Sequence, residues 1–333
     1  MGKSIRIAYG EALNEIAEYN DKLVVCDADL GHATMTNIFA EKHPDRFFNF
    51  GIAECNLVAE ATGMAHAGLV PFVSTFALFG AGRAYEIIRN SVCYVNANVK
   101  FALTHSGLCV GEDGGSHQAI EDLALMRVLP HMTILVPCDY EQTKKCVKAA
   151  AEIDGPVYIR VARPVVDEIT TAETPFEVGK AQVMKDGTDV CLMATGLMVG
   201  TALKAAEMLE AEGISCAVIN HHTIKPLDAE IVRKYHEKCK GIVACEEHSI
   251  YGGLGSAIAE VIAGVPGGKF AQVGVMDKFG KSGTPDALFE AYGLTAEHMV
   301  EDAKKFLSFS VENREKPAES GRLFFPSRWK GSR

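Results

Sequence analysis

Short apolar runs alternate with longer segments of helical periodicity along most of the chain. The runs LVVCDAD, VPFVSTF and VKFALTHS begin at residues 23, 70 and 99, and each is followed by a segment with helical spacing of its apolar residues. Strands separated by helices pair in parallel, because each helix carries the chain back across the sheet. The pattern therefore predicts an α/β fold, with two consecutive three-layer α/β/α domains and largely parallel sheets.

One segment interrupts this alternation and divides the chain. Residues 165–187, VVDEITTAETPFEVGKAQVMKDG, are polar and lack a clear strand or helix pattern. We predict a first domain over residues 1–170, a linker over 171–187, a second domain over 188–308 and an extended tail over 309–333. The second domain carries no catalytic set of its own, so we expect it to serve mainly in subunit association.

Composition excludes several functional classes. The net charge is −10, which disfavours nucleic acid as a partner. No apolar run approaches the roughly 18 residues that a membrane span requires, and we expect no membrane association. The ten cysteines are scattered without a CxxC pair. This distribution is typical of a reducing compartment, so we expect a cytoplasmic protein.

Two segments place chemically useful side chains after strands. Glu54 follows a strand-like run and begins a helical pattern, where a carboxylate either stabilises the helix dipole or lies at the sheet edge that binds ligands. Phe76 and Phe79 are three residues apart, so at helical spacing they share a face. Such a pair is typical of a core as well as of a platform for a ring, and Arg83 beside it is compatible with a surface ion pair.

The loop THSGLCVGEDGGSHQAIEDLALMR, from residue 104, is the most informative stretch. It combines His105, Glu112, Asp113 and His117 with four glycines that permit close approach of a ligand to the backbone. Imidazoles donate hydrogen bonds to anionic oxygens and move protons, and a carboxylate accepts from a hydroxyl group. A metal site is an alternative, although no HxxxH or HxxE pattern supports one, and a purely structural loop is another.

A pair of arginines ends a later strand. In YIRVARP, Arg160 and Arg163 each offer a planar guanidinium that can bind a phosphate group. The residues alone do not decide between them.

The order of these segments resembles the C-terminal half of transketolase, that is, the pyrimidine-binding and C-terminal domains of thiamine diphosphate enzymes. The similar stretches are FGIAECN, STFALFGAGRAYEIIR, the glycine-rich loop and IRVARP, and the resemblance covers residues 4–305. VGEDGGSHQAIEDLALMR is its most specific part. The beta subunits of 2-oxo acid dehydrogenases lack this loop, and deoxyxylulose-phosphate synthases usually have one without its Glu-Asp and His-Gln pairs.

The resemblance implies roles toward the cofactor. Glu54 corresponds to the catalytic glutamate that hydrogen-bonds N1′ of the aminopyrimidine ring and favours its imino tautomer, which deprotonates the thiazolium ring. Phe79 corresponds to the aromatic residue stacked on the pyrimidine, with Phe76 beside it. The stretch CDADLGH is similar to one near the thiazolium ring, which implies that Asp29 and Leu30 lie there.

The resemblance also implies a substrate site. His105 and His117 correspond to catalytic histidines that contact the sugar, and Asp113 to the aspartate that binds its C2 hydroxyl group. Arg163 and Arg6 correspond to the arginines that bind the phosphate group of the substrate. The implied reaction transfers a two-carbon ketol unit from a ketose phosphate to an aldose phosphate.

Full-length transketolases carry, ahead of this region, a GDG…N motif that holds Mg²⁺ or Ca²⁺ and the diphosphate. No GDG occurs in this chain, and no metal ligand is predicted within it. We therefore expect the C-terminal subunit of a split transketolase, which an N-terminal subunit with the GDG…N motif completes in an α2β2 assembly. The alternatives are another thiamine diphosphate enzyme, acting as a deoxyxylulose-phosphate synthase or on an unusual sugar, and a non-catalytic regulatory subunit.

Overall fold

The computed structural model describes residues 2–308. Its first half is built on a seven-stranded sheet in the order β12-β6-β7-β5-β4-β2-β3, in which every pairing is parallel except that of β12 with β6. The strands are β2 (Leu23–Asp27), β3 (Phe47–Asn49), β4 (Val70–Ser74), β5 (Lys100–Leu103), β6 (Thr133–Leu135), β7 (Val157–Arg160) and β12 (Thr223–Lys225). The strands β2, β4, β5 and β7 are buried at every residue, as expected for a parallel sheet covered on both faces.

Helices cover both faces of this sheet. They are α1 (Ile5–Ala17), α2 (Gly31–Thr34), α3 (Asn37–Ala40), α4 (Glu54–His66), α5 (Tyr85–Ile87), α6 (Asp122–Arg127) and α7 (Tyr140–Glu152). Helices α1 and α7 pack on one face, and α4 packs on the other together with two π-helical segments, Leu78–Arg83 and Ile88–Cys93. Short 3₁₀ turns span Pro44–Arg46 and Leu108–Asp113.

Helix α7 illustrates how the sequence sets an element boundary. The Asp139 side chain accepts a hydrogen bond from the Gln142 backbone N–H at 2.9 Å and so caps the N-terminus of the helix. An N-cap of this kind contributes about 1 kcal/mol to helix stability.

The second half forms a five-stranded sheet in the order β14-β13-β10-β11-β9, with β9 antiparallel to β11 and the other pairings parallel. Its strands are β9 (Gln182–Lys185), β10 (Val190–Ala194), β11 (Cys216–Asn220), β13 (Gly241–Ser249) and β14 (Lys269–Val275). Its helices are α8 (Met198–Ala211), α9 (Ala229–Lys238), α10 (Leu254–Ile262), α11 (Pro285–Tyr292) and α12 (Ala296–Ser308). A two-stranded antiparallel ribbon joins β1 (Lys3–Ser4) to β8 (Val165–Val166).

The predicted fold class is confirmed, since two three-layer α/β/α domains follow one another along the chain and their sheets are largely parallel. The structure differs from the sequence prediction in detail. Strand β9 lies within the segment 171–187 that is predicted as a linker, and β12 of the second half pairs with the first sheet. Local sequence does not reveal either pairing, because both depend on a partner strand far along the chain. The predicted tail lies outside the described residues.

One of the apolar core clusters contains residues of both halves. It contains Phe101 and Ile134 of the first sheet together with Met193, Ile219 and Ile258 of the second half. The halves therefore pack as neighbours over a shared apolar interface. Between residues 2 and 308, no helix is both long enough and apolar enough to cross a membrane.

Candidate active site

Five strands of the first sheet end at the same edge, and a predicted site residue follows each of them. Asp29 follows β2, Glu54 follows β3, Phe76 follows β4, His105 follows β5 and Arg163 follows β7. Because parallel strands share a direction, their carboxyl ends meet at one edge of the sheet. The topology thus brings together residues that are up to 134 positions apart in the chain.

Glu54 is a buried carboxylate with spare hydrogen-bonding capacity. It is the first residue of α4 and is 3% exposed. Nη1 of Arg83, a side chain that is 60% exposed, lies 3.3 Å from Oε2 of Glu54. No other residue between 2 and 308 donates a hydrogen bond to this carboxylate. The N-terminal end of α4 stabilises its negative charge, and the carboxylate remains able to accept a hydrogen bond from an incoming N–H group.

Aromatic rings form a wall next to this carboxylate. Phe76 stacks on Phe79 with ring centroids 5.7 Å apart and on His105 with centroids 3.9 Å apart. The rings of His117 and Phe79 meet at an interplanar angle of 69°, with centroids 5.3 Å apart. Phe79 is half-buried and lies in the π-helical segment Leu78–Arg83, with the Arg83 guanidinium 6.0 Å from its ring centre. A flat apolar wall of this kind suits an aromatic ring as a ligand.

His105 is held in an unusual environment. It is 3% exposed and adopts a left-handed backbone conformation, with φ of 57°. Its Nδ1 lies 2.8 Å from the Thr104 hydroxyl group. Burial, together with the positive charges of Arg6 and Arg163, lowers the pKa of His105 to about 3. The ring is therefore neutral near pH 7, so it has one nitrogen that donates and one that accepts.

Two guanidinium groups lie near His105. Arg6 Nε donates to the backbone oxygen of Arg163 at 3.1 Å, which brings an N-terminal residue to the end of β7. Arg163 Nη1 lies 3.5 Å from the Glu112 carboxylate and 4.0 Å from that of Asp113. Burial and the neighbouring Arg163 charge lower the pKa of Arg6. Two adjacent cations of this kind form a site suited to an anionic group.

The turn after β2 is fixed by Asp27, a residue that the sequence motifs do not single out. Its buried carboxylate accepts three hydrogen bonds, from Leu30 N at 2.6 Å, Thr34 Oγ1 at 2.8 Å and Thr36 Oγ1 at 2.9 Å. The turn places Asp29, with φ of 63°, and Leu30 in the lining of a cavity of about 400 Å³. The polar pattern DxxLxxxTxT would have been the only signal for this role.

The structure places Arg160 in the interior and His117 in the loop ahead of α6. Arg160 is buried and its Nε donates to Asp122 at 2.7 Å, so it is committed to an internal ion pair and cannot bind a phosphate group. No helix begins at His117, because α6 starts only at Asp122. His117 instead lies in the loop, half-buried, with its Nδ1 3.0 Å from the Ser116 hydroxyl group.

Residues of the second half of the chain contact and support the glycine-rich loop. Gln118 Nε2 donates to the backbone oxygen of Lys281 at 2.9 Å. A Cβ atom at Gly115 would lie 2.7 Å from the Gly280 oxygen, so this close approach requires glycine. The second domain, which we expect to serve mainly in assembly, therefore also supports the loop within the same chain.

Comparison with known protein families assigns both halves. Residues 2–167 match the transketolase pyrimidine-binding domain, and residues 179–299 match the transketolase C-terminal domain. Enzymes of this family use thiamine diphosphate.

Individual relatives match nearly the whole chain. A protein assigned as a candidate transketolase C-terminal section in Methanocaldococcus jannaschii is 45% identical, over 91% of this chain and 97% of its own length. A 6-deoxy-6-sulfo-D-fructose transketolase subunit of a Clostridium species is 38% identical, over 90% of this chain and 93% of its own length. A 1-deoxy-D-xylulose-5-phosphate synthase of Desulfitobacterium hafniense is 35% identical, but this chain spans only 47% of its length.

Solved structures give the same assignment. An inactive β4 tetramer of a split-gene transketolase is 50% identical, with a TM-score of 0.85 over 92% of this chain and 99% of that one. A transketolase from Campylobacter jejuni, 23% identical, shares the fold with a TM-score of 0.79 over 47% of its length. The chain therefore belongs to the transketolase family, with a pyrimidine-binding domain followed by a C-terminal domain and similarity throughout to the C-terminal sections of split members.

Proposed function

We propose that this chain is the C-terminal subunit of a split transketolase, which transfers a two-carbon ketol unit from a ketose phosphate to an aldose phosphate. The observation that carries the proposal is the meeting of Glu54, Phe79, His105 and Arg163 at one sheet edge. A carboxylate, an aromatic wall, a neutral imidazole and a cation are the groups that this transfer requires.

Thiamine diphosphate fits the residues present. Glu54 is buried yet has an oxygen without a hydrogen bond from residues 2–308, and the half-buried Phe79 offers a ring for stacking. Glu54 would accept a hydrogen bond from the pyrimidine ring, Phe76 and Phe79 would pack on it, and Asp29 and Leu30 would lie near the thiazolium. When bound, this cofactor supplies the electron-accepting chemistry that breaks a carbon–carbon bond next to a carbonyl group.

The remaining residues act on the sugar. His105 and His117 would hold and move protons at the hydroxyl and carbonyl oxygens of the sugar. Asp113 would accept a hydrogen bond from the C2 hydroxyl group. Arg6 and Arg163 would bind the anionic end of the sugar, with Arg163 leaving its contacts to Glu112 and Asp113.

A second chain would complete the site. We infer an N-terminal subunit whose GDG…N motif holds the diphosphate and Mg²⁺ or Ca²⁺, because this chain contains no GDG. The similarity to a split-gene transketolase supports this inference, and in that protein the β4 tetramer is inactive. We propose an α2β2 assembly of the two subunits. We also propose a cytoplasmic location, because all ten cysteines are free and nine of them are buried.

A sulfonated sugar is a second candidate substrate. The relative that is 38% identical acts, by its name, on 6-deoxy-6-sulfo-D-fructose. Arg6 and Arg163 present guanidinium groups, which bind a sulfonate as well as a phosphate. The same two arginines therefore accommodate either substrate class.

The decisive experiment is a reconstitution. The purified chain is mixed with the N-terminal subunit from the same genome, thiamine diphosphate and Mg²⁺, and ketol transfer from fructose 6-phosphate, xylulose 5-phosphate or 6-deoxy-6-sulfo-D-fructose is measured. We expect transfer by the mixture and none by either chain alone.

Three results would contradict the proposal in different ways. Full transfer by this chain alone would remove the need for a partner. Condensation of pyruvate with an aldose phosphate, without ketol transfer, would favour a deoxyxylulose-phosphate synthase. Unchanged activity of the mixture after Glu54→Ala would favour a regulatory subunit.

A further inference from the structure

A buried glutamate of the second half reaches the glycine-rich loop of the first. Glu247 lies in β13 (Gly241–Ser249) and is 2% exposed. Its Oε1 accepts a hydrogen bond from the backbone N–H of Cys109 at 2.5 Å, across 138 positions of sequence. None of the roles described above uses this carboxylate.

The loop is shaped around this carboxylate. Gly107 has a φ of 77°, and a Cβ atom there would lie 2.4 Å from Oε1 of Glu247. Only glycine permits this conformation and this close approach. Cys109 lies midway between His105 and Asp113, four residues from each, so the hydrogen bond fixes the centre of the segment that carries both.

The second oxygen of Glu247 differs from the first in its surroundings. Oε2 is buried and receives no hydrogen bond from residues 2–308. The groups facing the carboxyl group from other elements are the Cys109 thiol, the Arg160 guanidinium and the Asp122 carboxylate. On its own strand the neighbours are Glu246 and His248, and Arg160 also donates to the Glu247 backbone oxygen at 3.0 Å.

We propose that Glu247 is a positioning residue for the sugar site. It holds the loop of residues 105–113 in place and thereby fixes the positions of His105 and Asp113. The proposal deepens the function proposed above and rests on it for its kinetic consequences. The second half of the chain thereby acts on substrate binding as well as on packing.

Protonation of Glu247 changes the strength of this contact. Burial raises the pKa of Glu247 to about 7, against the opposing effect of Arg160. The ionised carboxylate accepts the Cys109 N–H bond more strongly than the protonated group, because charge-assisted hydrogen bonds are the stronger ones. We therefore expect KM for the sugar to rise as the pH falls below about 7, and this dependence to vanish in Glu247→Gln.

The first test needs no catalysis. Hydrogen exchange is measured on the full chain carrying Glu247→Ala or Glu247→Gln. The loss of a hydrogen bond to a charged group corresponds to about a 10- to 100-fold change in the opening equilibrium. We expect the amides of residues 107–113 to exchange faster by that factor in Glu247→Ala and by less in Glu247→Gln, which keeps an acceptor and nearly the same volume.

Glu246→Gln is the matched control. The carboxylate of Glu246 accepts from Leu254 N at 2.7 Å and Gly255 N at 2.8 Å, so it stabilises the start of α10. Its replacement should accelerate exchange around residues 254–257 and leave 107–113 unchanged. Unchanged protection of 107–113 in folded Glu247→Ala, or in Glu247→Gln at pH 8 if the alanine variant does not fold, would overturn the proposal.

The second test uses the complex with the N-terminal subunit. We expect Glu247→Ala to raise KM for a ketose phosphate about tenfold with little change in the affinity for thiamine diphosphate. An equal loss of affinity for cofactor and sugar would indicate a purely structural role and overturn the proposal. If the wild-type complex transfers no ketol unit, the proposed function fails, while the exchange data still decide whether Glu247 holds the loop.

Discussion

Replacing Glu54 by glutamine separates a catalytic role from a structural one. Glutamine keeps the shape of the side chain and an oxygen that Arg83 can bond, but it removes the charge that accepts a hydrogen bond from the cofactor. Because Arg83 is 60% exposed, its guanidinium remains hydrated when the carboxylate is lost. An ion pair with such an exposed partner contributes at most about 1 kcal/mol, so the free energy of unfolding should change by no more than that.

The expected effect on catalysis is much larger. A positioned acid–base group contributes about 10²- to 10⁴-fold to the rate, which is about 3 to 5 kcal/mol of activation free energy. We therefore expect kcat of the reconstituted Glu54→Gln complex, at saturating thiamine diphosphate, to fall by that factor. The increase in activation free energy would therefore exceed the decrease in the free energy of unfolding by several kilocalories per mole.

The assay is ketol transfer by the complex, with thermal unfolding of the isolated chain measured alongside it. Glu60→Gln is the matched control, because Glu60 lies at an exposed position of the same helix. A Glu54→Gln complex that keeps more than about a tenth of wild-type kcat would refute the assignment of Glu54 to the reaction, since acid–base roles contribute at least about 100-fold.

Three further outcomes are expected. Arg163→Ala should raise KM for a ketose phosphate about 10- to 100-fold, through loss of a charge-assisted hydrogen bond, and leave KM for the unphosphorylated ketose nearly unchanged in the same steady-state assay. Asp122→Ala should destabilise the chain by about 3 to 5 kcal/mol in denaturant unfolding, because it leaves the buried Arg160 without its partner; a loss below about 1 kcal/mol would contradict this. His105 has a pKa lowered from 6.5 to about 3, so the stability that it contributes is present above pH 6.5 and is lost as the pH falls toward 3. Relative to His105→Gln, the wild type should lose about 2 kcal/mol between pH 7 and pH 5, and parallel unfolding curves across that range would contradict the burial of a neutral ring.

Much of the architecture was predictable because its signals are local. The alternation of strands and helices, the N-cap Asp139 and the position of Glu54 at the start of α4 each depend on a few neighbouring residues. The parallel direction of the strands then implies that Glu54 and His105 meet at one edge. Strand β9, within the predicted linker, was not predictable in the same way, since it forms only by pairing with β11.

The site itself was only partly predictable. The residue types in the glycine-rich loop and their resemblance to a known family indicate the chemistry. The same residues do not distinguish Arg160 from Arg163. Only the pattern DxxLxxxTxT hints at the contacts of Asp27, and no local pattern indicates that Glu247 holds the glycine-rich loop.

The chain sequence by itself determined the fold class, the family and the set of side chains available for chemistry. Only the tertiary structure decided which of the two arginines pairs with a buried carboxylate. It also decided that His105 is desolvated near a phenylalanine and two cations, and that Glu247 accepts a hydrogen bond from Cys109. The physical reason is the distance along the chain over which each interaction acts. Helix and strand preferences act between neighbours, whereas burial, charge pairing and pKa depend on atoms that meet only when distant segments pack together.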